Sequence, residues 1–515
     1  MPLRQGALVA LPSGRGLPVN EVGPKKNQEK MKIYQFRMWG RKFAVDTGSG
    51  NFLEVDRISS DAIKLLERYP EQDSLMQLSR GYGRKKASNI IRSLGRLKSE
   101  GVLFSDSGQK SAPIRRKITD LTLNIVNSCN LSCRYCWNSR GSYGDAPKKE
   151  RRMGSSVARK AIEVLLKESK GAKDLVVDFY GGEPLLNYSI IKDTVNHCRK
   201  IQKKKKVNFR FLLATNGTLL DKDKAEFMIE NGVDIAVSLD GSKKVQDMQR
   251  PFPGGKGTFD TIMNNLSALK KEYRRRLVGR ATFTPYSPRV TETFRFLRSL
   301  GFDRIEVCES EKAGYGLDSN RKFFFNGPGD LKRLKSLYYK LARFYSREIV
   351  RGKLTYENTY FNRFFKQLSR LYHIQSITGT CSAGFSLLAT DMDGSIYPCT
   401  AFVGIPGFRI GTVATGVDEK KLALFTNNKI SSNKSCGSCW ARKLCRGCGS
   451  CYNLNYFSNK NLGKPDHYYC DLFRYKTKLM IAILAEVASK NPRLLEEVFI
   501  PDYYSTRGKK NGALK

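Results

Sequence analysis

Asn127-Ser-Cys129-Asn-Leu-Ser-Cys133-Arg-Tyr-Cys136 places three cysteines in a CxxxCxxC spacing directly behind the apolar run Leu121 to Val126. The run Leu121-Thr-Leu-Asn-Ile-Val alternates apolar residues as a strand does, which puts the cysteines on a loop at its end. In α/β folds such loops carry the chemistry. That there are three thiolates and not four matters. A structural zinc site closes with four ligands, whereas an iron–sulfur cluster on three cysteines keeps one iron open. A zinc knuckle with a distant fourth ligand is the bland alternative.

The order of the segments downstream adds weight. Leu175-Val-Val-Asp-Phe-Tyr180 reads as a buried strand and runs into Gly181-Gly-Glu-Pro184, where two residues without a Cβ let backbone approach a ligand closely. Phe211-Leu-Leu-Ala-Thr-Asn-Gly217 and Asp234-Ile-Ala-Val-Ser-Leu-Asp-Gly241 are two more apolar strands, each ending in a polar residue and glycine. Taken in this order, with Tyr135 before the last cysteine, the region resembles the radical S-adenosylmethionine (radical SAM) superfamily. The resemblance implies an α/β fold, a partial (β/α)6 TIM-like barrel. In it Cys129, Cys133 and Cys136 hold the catalytic [4Fe-4S] cluster, whose open iron chelates S-adenosylmethionine. It also assigns cofactor contacts to Tyr135, Gly181, Gly182, Glu183, Asn216, Ser238 and Arg250. The Gly-Gly-Glu-Pro element would meet the methionyl amino group, and Ser238 and Arg250 the carboxylate and ribose. Standing alone, these residues read as a turn, a strand-terminal serine and a surface arginine.

A second cysteine set lies in the C-terminal third: Cys381, Cys399, Cys436, Cys439, Cys445, Cys448, Cys451 and Cys470, eight in ninety residues. Eight thiolates can close two four-cysteine clusters. The arrangement resembles the SPASM domain of radical SAM enzymes that act on ribosomally made peptides, which carries two auxiliary [4Fe-4S] clusters; a pair of zinc ribbons is the alternative. The family usually has a cysteine four residues after Cys445, where this chain has Gly449 flanked by Cys448 and Cys451. If both flanking cysteines bind, family topology implies one cluster on Cys381, Cys399, Cys448 and Cys451 and another on Cys436, Cys439, Cys445 and Cys470. If one binds, the first of these keeps an open iron. Cys198 and Cys308 belong to neither set and read as plain buried thiols.

Ahead of the barrel, Lys32 to Asp56 reads as short strands with glycine turns, and helical patterns follow. One face carries Ala62, Ile63, Leu66 and Tyr69, and a second Ile90, Ile91, Leu94 and Leu97. This module resembles the winged-helix-like PqqD-type recognition element of peptide maturases, to whose sheet edge a precursor's leader adds a strand. A small DNA-binding winged helix or a barrel cap are the alternatives.

With 515 residues the chain exceeds one ordinary domain, and 40% hydrophobic residues supply substantial cores. The expected division is a disordered leader over 1–30, the recognition module over 31–110, the barrel over 118–330, a helical bridge over 331–376, the SPASM segment over 377–475, and an apolar helix with a basic tail over 476–515. No run of eighteen apolar residues argues for a membrane span. The N-terminus is too weakly patterned for a signal peptide. Thirteen cysteines bunched at metal-ligand spacings, with only three histidines, point to iron and sulfur in a reducing cytoplasm. The net charge of +43 is spread along the chain in runs such as Lys203-Lys-Lys-Lys206 and Arg274-Arg-Arg276. A field of that size attracts acidic peptides or nucleic acid, the latter less favoured for want of any RNA-binding signature.

The expected activity is a radical modification of a ribosomally made precursor peptide or a protein, with a cysteine thioether crosslink as the leading product and a flavodoxin or ferredoxin as electron donor. The alternative is an anaerobic sulfatase-maturing, formylglycine-forming enzyme. Such enzymes carry an aspartate proton acceptor directly after the cysteine matching Cys399, where this chain has Thr400. Carbon–carbon crosslinking and epimerisation are further peptide chemistries of the class. A zinc-loaded, non-catalytic nucleic-acid-binding protein is the reading of another class.

Overall fold

The structure is a computed structural model that describes residues 32–105, 116–141, 149–310, 321–325, 327–355, 362–372, 381–426, 434–445 and 452–499. The expected leader and basic tail lie outside them.

Strands β1 (Ile33–Met38), β2 (Arg41–Asp46) and β3 (Phe52–Glu54) form an antiparallel sheet in that order. The sheet thus has a strand more than a hairpin. Trp39 and Gly40 both take positive φ, 55° and 77°, as a tight hairpin turn requires. Helices Arg57–Leu66, Glu71–Tyr82 and Arg84–Ser99 cover one face, where Ala44 and Leu53 meet Ile63, Ile90, Ile91, Leu94 and Leu97. Tyr69, expected on that inner face, is 38% exposed, because the first helix stops at Leu66 and the chain turns away before reaching it.

The opposite face, with Phe36, Phe43, Val45 and Phe52, joins the main core. There Tyr34 stacks on Trp440 with centroids 4.5 Å apart and planes within 9°. Lys478 Nζ lies 5.1 Å from the Tyr34 ring centroid and donates to its hydroxyl at 2.7 Å.

The second sheet has ten strands. β4 (Asp120–Val126), β5 (Asp174–Gly181), β6 (Asn208–Thr215), β7 (Val233–Ser238), β8 (Val278–Phe283) and β9 (Arg304–Glu309) run parallel in sequence order. Their crossovers include helices Ser155–Glu168, Tyr188–Lys204, Lys222–Glu230, Phe259–Ser267 and Val290–Ser299. This is the expected α/β barrel of six parallel strands. Alternate residues face outward and are buried, such as Val177 and Phe179, Phe211 and Leu213, Ile235 and Val237. Their neighbours Asp178, Tyr180, Leu212, Ser238 and Arg280 face the lumen and stay partly open.

β4 also pairs in parallel with β10 (Leu387–Thr390), with Leu388 opposite Leu121. The antiparallel strands β11 (Ser395–Tyr397), β12 (Gly411–Thr412) and β13 (Gly416–Val417) extend that edge. The cysteine-rich segment therefore begins as part of the barrel's own sheet. Two expected boundaries also move: 330/331 falls inside helix Pro328–Val350, and 475/476 falls inside helix His467–Lys490. The latter starts at Asp466, whose carboxylate caps the Tyr468 and Tyr469 amides at 2.8 and 3.2 Å, well before the apolar turns at Leu479. Lys335–Asp471 at 2.5 Å and Arg343–Glu486 at 3.2 Å join the two helices. No helix among the described residues is long and apolar enough to cross a membrane.

At the barrel floor, Asp234 accepts from Arg210 Nη2 at 2.6 Å and Arg304 Nη1 at 2.9 Å. Burial pushes its carboxyl up, but the two guanidinium groups outweigh this and hold it below the usual range. Asp234→Ala leaves two enclosed cations unpaired, so denaturant unfolding should show a loss of about 3 kcal/mol near neutral pH. Because the folded value is depressed, the wild-type advantage is present above about 3.9 and disappears as acid brings the pH through the folded value.

Candidate active site

The cysteine loop leaves β4 at the mouth of the barrel and is fixed by backbone on two sides. On one, Gly182 N donates to Val126 O at 3.0 Å and Glu183 N to Ser128 O at 2.9 Å. A Cβ at Gly181 would lie 2.2 Å from Val126 O, and one at Gly182 only 2.0 Å from Ser128 O and 2.3 Å from Arg140 O. Any side chain there would displace the loop. On the other side, Ser132 N donates to Pro251 O at 2.8 Å and Arg134 N to Gln249 O at 2.9 Å.

Side chains complete the frame. Glu183 is buried and accepts from Thr215 Oγ1 and Asn216 N, both at 2.7 Å, and from Leu185 N at 3.1 Å. Burial raises its pKa, and these hydrogen bonds pull the other way. Asn216 Nδ2 donates to Asn130 Oδ1 at 2.8 Å and approaches Cys129 Sγ at 3.8 Å. Asn130 in turn donates to Thr218 Oγ1 at 2.8 Å.

Tyr135 donates to Asp240 Oδ2 at 2.6 Å and accepts from Arg250 Nη1 at 2.7 Å. Asp240 is also held by Gln249 Nε2 at 2.8 Å and Thr282 N at 2.9 Å. Arg250 Nε is buried without a hydrogen-bond partner, an open donor beside the cysteine loop. Ser238, half-buried, ends β7 opposite Arg280. Asp240, Gln249, Asn130 and Thr218 were not singled out by sequence. The polar residue and glycine closing each strand were the available signal, since Asp240 stands there.

Cys129, Cys133 and Cys136 are near enough to act on one another: the Cys129 thiol is raised by burial and by Cys133 and Cys136. Burial pushes Cys133 up to about 12, while Arg250 opposes. Cys136 Sγ accepts from Arg140 N at 3.1 Å. Such thiols stay neutral until a metal takes the proton's place. The donor set fits a [4Fe-4S] cluster: three clustered thiols, a neighbouring guanidinium to balance sulfur charge, and a loop backed by glycines. Among the described residues no three Cys, His, Asp or Glu side chains converge on a single-ion position. A cubane takes each thiolate on a separate iron and needs no such convergence.

In the second set, Cys436, Cys439, Cys445 and Cys470 come together. Burial raises Cys470 to about 12, with Cys445, Cys436 and Cys439 adding their repulsion. Between Cys381 and Cys399, Gly384 N donates to Pro398 O at 3.1 Å. Cys448 and Cys451 lie outside the described residues. Thr400 donates to Asn124 Oδ1 at 2.9 Å, which ties the residue after Cys399 to β4. Cys198 is fully buried. Cys308 is instead half-buried on β9, its residue partly open.

Residues 123–306 match the model of the Radical SAM superfamily. The chain carries a radical SAM domain and is a radical SAM enzyme, of a class that works with S-adenosylmethionine and a [4Fe-4S] cluster. It is 24% identical over 385 residues to a cysteine-type anaerobic sulfatase-maturating enzyme of Clostridium novyi (strain NT), covering 70% of this chain and 95% of that one. It is also 24% identical to the radical SAM cyclopropyl synthase TigE of Paramaledivibacter caminithermalis, over 71% of this chain and 74% of that protein. The fold is similar to that of anSMEcpe with bound AdoMet and a Cp18Cys peptide, with TM-score 0.59 and 21% identity, over 73% of this chain and 99% of the other.

Gly182→Ala should leave the barrel folded but displace the cysteine loop. Iron and sulfide analysis after anaerobic reconstitution should then show about four fewer irons per chain than wild type, the content of one cubane. Equal iron would show that the loop tolerates the methyl group.

Proposed function

We propose that this enzyme modifies a peptide or protein by abstracting a hydrogen atom from a side-chain carbon and oxidising the resulting radical, with a cysteine thioether crosslink as product. The observation that carries this is the hydrogen bond from Thr400, the residue after Cys399 of the second set, to Asn124 of β4, the strand that runs into the loop of Cys129, Cys133 and Cys136. When bound, S-adenosylmethionine and the [4Fe-4S] cluster supply a 5′-deoxyadenosyl radical that removes the hydrogen atom.

The chain's own residues arrange this. Cys129, Cys133 and Cys136 would hold the cluster. Arg250, with its open Nε, and Ser238 would orient the cofactor's carboxylate and ribose, and the Gly181–Gly182 backbone its methionyl end. Glu183 and Asn216 keep the loop in place through Thr215 and Asn130. Cys381, Cys399, Cys448 and Cys451 would hold one auxiliary cluster and Cys436, Cys439, Cys445 and Cys470 another, each a sink for the electron left on the substrate. The N-terminal sheet, with edge strands β1 and β3, would take the precursor's leader by strand addition. A flavodoxin or ferredoxin in the cytoplasm would supply the reducing electron.

Sulfatase maturation is the second reading, favoured by the Clostridium novyi relative, which this chain spans over 95% of its length. Thr400 weighs against it, since a hydroxyl bonded to Asn124 is a poor substitute for a carboxylate base.

Reconstituted protein should hold roughly twelve irons per chain, as three cubanes require. It should also release 5′-deoxyadenosine when reduced with S-adenosylmethionine, and Cys133→Ala should abolish that release. Zinc without sulfide would overturn the reading. With short peptides encoded beside the gene, loss of a hydrogen pair by mass marks a crosslink. Exchange of cysteine sulfur for a carbonyl oxygen marks the aldehyde instead.

A further inference from the structure

The lumen below the mouth holds several carboxyl groups, and almost all of them are engaged. Asp120 accepts from Thr119 Oγ1 at 2.7 Å, and Asp234 is clasped by Arg210 and Arg304. Glu306 faces Arg280 at 3.2 Å and Arg363 at 3.4 Å, and Glu309 is held by Tyr338 and Lys476. At the rim, Glu183 and Asp240 are tied up as described. Asp178 alone, among these residues, makes neither a hydrogen bond nor an ion pair in the described structure.

Its position is well defined. On β5 it lies between Thr122 of β4 and Leu212 of β6, two residues before Tyr180. Val177 and Phe179 on either side point out into the helical layer and are fully buried. Asp178 is enclosed by the barrel yet keeps part of its surface open to the lumen. Tyr180 pairs with Asn124, the residue that anchors Thr400. The carboxylate therefore sits one layer, about 7 Å along the strand, below the level at which Asn124 holds Thr400, the residue after Cys399. A substrate side chain pointing down into the barrel spans that drop with one hydrogen bond.

We propose that Asp178 is the base of the reaction chamber, accepting the proton that a substrate thiol or hydroxyl loses as the neighbouring carbon radical is oxidised. The assignment rests on the function proposed above, though not on which product forms. In either route the substrate carbon has first given one hydrogen atom to the adenosyl carbon, yielding 5′-deoxyadenosine. In crosslinking, the S–H bond then breaks, the sulfur–carbon bond forms, the proton goes to Asp178 and one electron goes to an iron–sulfur cluster of the second cysteine set. In the aldehyde route the same proton and electron leave as a carbon–sulfur or carbon–oxygen double bond forms.

The surroundings tune the group for this. Burial raises the Asp178 carboxyl to about 7, Arg280 of β8 pulls it down, and Asp120 of β4 pushes it up. Arg210 on β6, Glu306 on β9, and Arg363 and Lys366 on helix Arg363–Tyr372 are the other charged groups of the adjoining elements. A carboxyl poised there is ionised above about 7 and still basic enough to accept a proton.

The test has two parts. Infrared difference titration of the purified protein should show a carboxyl band that converts to carboxylate near pH 7 and is missing in Asp178→Asn. The second part uses a synthetic cysteine-containing peptide, deuterated at carbon, with the reconstituted enzyme and S-adenosylmethionine. Asp178→Asn should still move deuterium into 5′-deoxyadenosine while modified peptide per 5′-deoxyadenosine falls at least tenfold, and Asp178→Glu should recover part of that yield. In wild type the same ratio should drop as the pH falls below about 7. Unchanged yield in Asp178→Asn overturns the assignment and leaves the proposed function standing. No deuterium transfer in wild type overturns the proposed function and the assignment with it. Should Asp178→Asn not fold, a wild-type ratio flat across neutral pH overturns the assignment by itself.

Discussion

The site depends on a close approach of two backbones. Val126 and Ser128 carbonyls reach the amides of Gly182 and Glu183, and there is no room for a side chain at either glycine. That contact does more than position a loop. It sets Glu183 where it can bridge to Thr215 and Asn216, and Asn216 then grips the cysteine loop from the far side through Asn130. Three strand ends become one unit through backbone and buried hydrogen bonds. In a dry environment each of these would be costly to leave unmade. The segment around Gln249 and Pro251 closes the remaining side, so the cysteines are held before any metal arrives, and little ordering is left for cluster binding to accomplish.

Electrostatics divides the barrel into layers. The floor is neutralised by the Arg210–Asp234–Arg304 group, and the middle by Arg280 with Glu306. The rim carries Arg250 against Tyr135 and Asp240. Such pairing is what an enclosed charge requires, and it leaves the few unmatched groups conspicuous. Asp178 in the lumen and the Arg250 Nε beside the cysteine loop are unmatched. Basic runs such as Arg84-Lys-Lys86 and Lys203-Lys-Lys-Lys206 play no part in this balance, because they are exposed.

Much of the barrel could be read from strand pattern and chain order, because each strand of the parallel sheet carries its own apolar signal and its own terminal glycine. The face Ile90, Ile91, Leu94 and Leu97 was equally plain in helical spacing and is buried. What escaped was information that resides in pairing. Leu387–Thr390 is a short apolar strand with no mark that its partner is Asp120–Val126, more than 250 positions earlier. The start of the last long helix was missed because the capping Asp466 precedes aromatic and polar turns, not apolar ones. Asp178 stood inside a run that looked wholly buried, and only the inward turn of alternate residues around a closed lumen gives it a solvent-facing side. Tyr69 failed in the opposite sense, since periodicity does not show where a helix stops.

The pairing of β10 with β4 also bears on how the two cysteine-bearing segments are held. An appendage packed through side chains can rock against its partner, and the gap between the segments then varies. Here Leu387–Thr390 is joined to Asp120–Val126 strand to strand, and Asn124 adds a side-chain bond to Thr390 O at 2.9 Å. The same Asn124 holds Thr400 beside Cys399. The loop that begins after Val126 and the residues around Cys399 are thus both anchored to one strand, at a spacing fixed by the width of a sheet, about 4.8 Å per strand. Motion that separated these two segments would have to break main-chain hydrogen bonds of the barrel.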